Sequence, residues 1–131
     1  MTTNETNSST FGPVVYRYTR AQAIEDGVLV DVSDTAREAG IVFPTAVTST
    51  VWEACVTVPK SASWQSETGR LWDVLMLLRH GIARSAGGQQ VNFTVGIQND
   101  EQPPQPVRLK ALCGPGDFGE PVITIMFPEE H

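Results

Sequence analysis

Hydrophobic spacing divides the chain into a helical middle and an extended final third. From Ser66 onward, Leu71, Val74, Leu75, Leu78 and Ile82 recur at helical intervals, and apolar residues at that period form one buried stripe. A long central helix is therefore predicted, running to about Ser85 with Ala86-Gly87-Gly88 as its exit and with Arg70, Asp73, His80 and Arg84 on its other faces. After it the period falls to two. Val91, Phe93, Val95 and Ile97 alternate with Asn92, Thr94 and Gly96, and Val107, Leu109, Ala111 and Cys113 alternate with Arg108, Lys110 and Leu112, as half-buried strands do. Val122 to Phe127 makes a third strand. Sequential strands joined by short loops usually pair, so the simplest arrangement is a three-stranded antiparallel meander resting on the central helix.

The preceding elements are shorter. Thr19 followed by Gln22 has the form of a capping box, in which each side chain bonds the other's backbone N–H. It predicts a helix over Arg20 to Asp26, stopped by Gly27. Val28, Leu29, Val30 and Val32 make one brief strand, and Ser33 or Asp34 caps a short helix over Thr35 to Ala39, ended by Gly40. Within Thr48 to Val56, the residues Val51, Trp52, Cys55 and Val56 share one helical face, with a strand as the alternative. Met1 to Thr10 is almost wholly polar and reads as a disordered tail. The fold class expected is α+β: one domain over residues 11–131, with short N-terminal helices and one short strand ahead of the helix and meander.

Composition fits a single domain, since the 131 residues are 40% hydrophobic and 18% charged. Charge changes the picture more. A net charge of −6 opposes direct contact with nucleic acid, whose phosphates attract cations. The first and last thirds of the chain carry the acidic excess, and residues 60–84 are basic. The two cysteines, Cys55 and Cys113, fall in apolar runs and read as reduced core thiols of a cytoplasmic protein. The longest apolar run, Val74 to Leu78, is too short to span a bilayer.

Candidate chemistry is sparse. The loop Gly114 to Pro121 carries three glycines with Asp117, Phe118 and Glu120; its simplest explanation is a rigid hairpin connection, which an aromatic at the tip complicates. The loop Asn99 to Pro106 carries Asp100 and Glu101 among three prolines, and Glu129 and Glu130 complete the acids of the final third. Arg70, Arg79, Arg84 and His80 offer anion binding or acid–base chemistry on the helix. His80 has no catalytic signature around Cys55 or Cys113, and no spacing suits a metal or cofactor. Trp52 and Trp72 read as core residues, and Trp64, in a polar stretch, as an exposed one or as a staple at the helix entry.

Tyr18 to Val32, Ala36 to Gly40, Gly69 to Asp73, Leu109 to Asp117 and Glu120 to Met126 together resemble a family of small bacterial proteins of unknown function met on plasmids, phages and integrated elements. The resemblance spans about residues 16–130. It supplies no activity or catalytic residue, but it implies a mobile-element setting in which acidic proteins block host machines, their carboxylates standing in for phosphates. The expectation is thus a non-catalytic acidic binding protein of the anti-CRISPR or anti-restriction type. It would dock Asp100, Glu101, Asp117, Phe118, Glu120, Glu129 and Glu130 on a basic protein surface such as a host nuclease or CRISPR effector. The alternatives are a small soluble enzyme with His80, Cys113 and Asp117 in its site, and an accessory protein of plasmid maintenance.

Overall fold

A computed structural model describes residues 17–85 and 87–131. The polar tail expected over residues 1–10 lies outside them. In chain order the elements are α1 (Arg20–Glu25), β1 (Leu29–Asp31), α2 (Ser33–Glu38), β2 (Thr45–Thr48), α3 (Ser49–Val51), α4 (Glu67–Arg84), β3 (Gln90–Ile97), β4 (Gln105–Pro115) and β5 (Pro121–Met126). α3 passes directly into a π-helical turn over Trp52–Val56, and a 3-10 turn over Lys60–Ala62 precedes α4.

Local signals set most of these boundaries. The Thr19 hydroxyl accepts from the Gln22 N–H and the Gln22 side chain accepts from the Thr19 N–H, which is the expected capping box. The helix stops at Gly27, whose φ of +80° only glycine takes without strain. The Ser66 hydroxyl accepts from Gly69 N–H and opens α4. Ser33 does not cap α2 as expected: it is already helical, and its hydroxyl donates to Asp31 and Thr45 O.

The five strands form one mixed sheet in the order β1-β2-β5-β4-β3. The expected three-stranded antiparallel meander is therefore corrected. β3, β4 and β5 do pair in sequence, but β5 also pairs in parallel with β2, setting Thr45 opposite Ile123 and Val47 opposite Ile125, and β1 adds antiparallel beyond it. β2 escaped the sequence reading because Thr45, Ala46 and Val47 are all fully buried. A strand covered on both faces shows no alternation of polar and apolar residues.

One sheet face carries the core. Val47, Val95, Leu109, Ala111, Ile123 and Ile125 meet Leu71, Val74, Leu75 and Leu78 of α4, with Ala36 of α2 and Val51, Cys55 and Val56 of the π-helical turn packed alongside. Each large aliphatic side chain fully buried here contributes roughly 1.5–3 kcal/mol. On the other face, Arg20 of α1 reaches Thr124 Oγ1 at 2.7 Å and Ile123 O at 2.8 Å. The helical stripe differs from expectation at both ends: Ile82 is 38% exposed, and Arg70 is buried at 5% exposure.

Candidate functional site

α4 packs over β3, one of the two outer strands of the sheet, so helix and strand edge together bound a groove. Its upper hollow, about 790 Å³, is lined by Trp64, Arg70, Trp72, Asp73, Val95, Ile97 and Pro104 among others. Its lower hollow, about 470 Å³, runs past Leu77, His80, Gly81 and Arg84 opposite Val91 and Phe93. Between Gln90 and Ile97 the strand has no proline and no charged residue, and among the described residues no strand pairs with its outer edge. An edge left in that state displays backbone donors and acceptors to any extended chain.

Arg70 holds the upper wall in place. Its Nε donates to Gln65 Oε1 at 2.7 Å, Nη1 to Thr57 O at 2.9 Å, and Nη2 to Gln98 O and Asn99 Oδ1 at 2.7 and 2.8 Å. Gln65 Nε2 also donates to Gln98 O, and the Ser61 hydroxyl to Asn99 O. One guanidinium thus ties α4 to the chain after the π-helical turn and to the β3–β4 hairpin. No carboxylate pairs with it among the described residues. Planar donors arranged as a fork suit this task better than an ammonium would.

Held on this frame, Trp64 is 58% and Trp72 37% exposed, although Trp72 was expected in the core. Asp73 lines the hollow. Asp100 and Glu101 stand on the hairpin whose base Arg70 grips, and Asp100 itself accepts from Gln102 N–H. Glu67, in the first turn of α4, adds a further acid, while Lys60 beside Ser61 is the exposed base of the region. Acids therefore border the upper end, and His80 and Arg84 the lower end.

The other expected contact residues are elsewhere. Asp117, Phe118 and Glu120 lie in the β4–β5 hairpin, at the opposite end of the strands from Asp100 and Glu101. Asp117 accepts from the N–H groups of Arg20 and Ala21 at 2.8 and 3.0 Å, closing the first turn of α1. Glu120 accepts from Phe118 N–H, and the Phe118 ring is 94% exposed. Glu130 accepts from Phe127 N–H and from the hydroxyls of Thr48 and Thr50, so it fastens the end of β5 to that of β2. The seven residues do not form one patch. Nor does the fold assemble the alternative catalytic set: His80 lines the groove, Cys113 lines a separate apolar cavity, and Asp117 is engaged with α1. Cys55 is fully buried, which pushes its thiol up to about 11 and keeps it protonated at neutral pH.

The bonds to Asp117 have a pH signature. The two backbone N–H donors, helped by the charges of Arg20 and Arg17, hold its carboxyl below the usual range. A carboxylate whose folded value is depressed stabilises above its unfolded value and loses that contribution as pH falls through the folded one. Asp117→Ala is expected to lower the thermal midpoint at pH 7, with the gap to the parent protein closing as the pH falls below the ordinary carboxylate range; unfolding curves from neutral to acid pH provide the check.

Among the described residues no helix is long and apolar enough to cross a membrane. Residues 7–131 match a family of unknown function, DUF6573, and the chain belongs to that family. No curated protein and no solved structure matches it.

Proposed function

We propose that this DUF6573 protein is a non-catalytic binding protein that takes up a basic, extended segment of a partner protein along the groove between α4 and β3. The observation that carries this reading is the uncharged outer edge of β3, unpaired among the described residues, beside exposed Trp64 and Trp72, with Asp73 lining the hollow and Asp100 and Glu101 in the connection from β3 to β4. Backbone bonding to a strand edge supplies affinity, and alternate side chains supply specificity. A tryptophan covered by the partner is the type of residue that dominates interface energetics. The surrounding acids speed association and make it salt-sensitive.

The contact set is thereby narrowed from seven residues to Asp100 and Glu101, with the two tryptophans as anchors. Asp117 and Glu130 are assigned to the scaffold instead. The wider setting proposed is a mobile genetic element, with the basic segment belonging to a host defence complex such as a nuclease or CRISPR effector. Its support is the sequence resemblance, the net charge of −6 and carboxylates able to occupy phosphate positions. This last step is by analogy with other small acidic proteins.

A peptide alternating lysine with valine, and its counterpart with glutamate in place of lysine, test the groove by tryptophan fluorescence and amide exchange. The lysine peptide is expected to bind, slow exchange in β3, and lose about tenfold in affinity to Asp100→Lys/Glu101→Lys. Equal binding of both peptides, unaltered exchange in β3, or a dimer of this chain protecting that strand overturns the proposal.

A further inference from the structure

A second cavity, about 420 Å³, opens where the last turns of α4, the loop after α2 and the ends of β4 and β5 meet. Ile41, Leu78, Ala111 and Ile123 form its floor, each buried, and Val42 and Ile82 stand at its mouth, 76% and 38% exposed. Apolar side chains gathered around an open hollow of this size, within the roughly 300–1,000 Å³ of small-molecule sites, suit an apolar ligand body. Its lining contains no carboxylate and a single cationic side chain, Arg79.

Arg79 has no ion pair among the described residues. Its place is built nonetheless. Gly40 has a φ of +94°, and a Cβ added there would lie 2.9 Å from Arg79 Nε. The arginine side chain therefore rests directly on the glycine, at the rim of the cavity. A guanidinium so placed accepts a carboxylate through two parallel hydrogen bonds. In a chain with six more formal negative than positive charges, an exposed cation without an ion pair among the described residues, seated beside an apolar hollow, favours an anionic ligand head.

We propose that this cavity binds a small amphiphile with one carboxylate, of the class of medium-chain fatty acids: the hydrocarbon lies over Leu78, Ala111 and Ile123, and the carboxylate on Arg79. The cavity shares Ser85 and Val91 with the lower hollow of the groove, but the residues assigned to the ligand, Leu78, Arg79, Ala111 and Ile123, line the cavity alone. Methyl-labelled full-length protein titrated with octanoate, octan-1-ol and octylammonium provides the test. Octanoate is expected to shift the Leu78, Ala111 and Ile123 methyl signals, octanol to do so about tenfold more weakly, and octylammonium not to bind. Arg79→Gln is expected to bring octanoate down to octanol while leaving octanol unchanged, which shows that the cavity itself is intact. The proposal is overturned by methyl signals that ignore all three compounds, or by equal affinity for octanoate and octanol. It is also overturned by an octanoate response that survives Arg79→Gln, or by contacts in the ligand-free protein between these methyls and residues 1–16.

Discussion

Arg70→Met is expected to cost about 3 kcal/mol of folding stability and to lower the thermal midpoint by about 10 °C. Methionine fills much of the same volume, so the loss is not a cavity effect. It comes from four hydrogen bonds to a charged donor and from acceptors left behind at Thr57, Gln65, Gln98 and Asn99. A half-buried carbonyl stripped of its donor regains water only in part, although Gln98 O keeps the bond from Gln65 Nε2. Arg70→Lys is expected to recover less than half, because one ammonium cannot reach acceptors spread across three segments. Denaturant unfolding measures both. A loss below about 1 kcal/mol for the methionine variant would mean that these segments hold together without the guanidinium. The Trp64 environment should change in the same variant, since Gln65 beside it loses its bond to Arg70.

Gly81→Val is expected to cost about 2 kcal/mol even though valine is the better helix former. A Cβ at position 81 would lie 2.8 Å from Val91 Cγ1. That contact is closer than packed carbons tolerate, and the methyl it meets sits next to the strand backbone and swings only with χ1, which β-branching stiffens. α4 would be pushed off β3 at the lower end of the groove. Val91→Ala introduced together with Gly81→Val is expected to restore more than half of the loss, a coupling that a double-mutant cycle reads directly. Additive losses would show that the approach of helix to strand is not what Gly81 provides.

How far the fold is legible in the sequence depends on the range of the interaction. The Thr19–Gln22 box, the Ser66 start of α4 and the period-two runs of β3 and β4 depend on neighbours a few residues away, and the spacing reveals them. β2 depends on Ile123 and Ile125, far along the chain, and its four residues carry no period of their own. Arg70 was legible in part: it stands four residues before Val74 and eight before Leu78, squarely on the buried stripe. Its charge argued for placing it on another face. Trp72 was misplaced for the complementary reason, an apolar ring being assigned to the core when it stands at the groove's rim. Of the candidate site, the acids Asp100 and Glu101 were visible in the sequence, and the exposure of Trp64 was one of the two readings it offered. The edge position of β3 among the described strands was not, because a strand becomes an edge only through the order in which all five assemble.

That order also sets a timetable for the growing chain. β5, the last of these five strands to leave the ribosome, lies in the middle of the sheet, between two pairs of strands made earlier. β1 with β2 and β3 with β4 can each zip as they emerge, yet the two halves have no seam until β5 has followed them. Until then β2 offers an open flank, so this sheet is most exposed to misjoining, and most in need of a chaperone, just before β5 arrives.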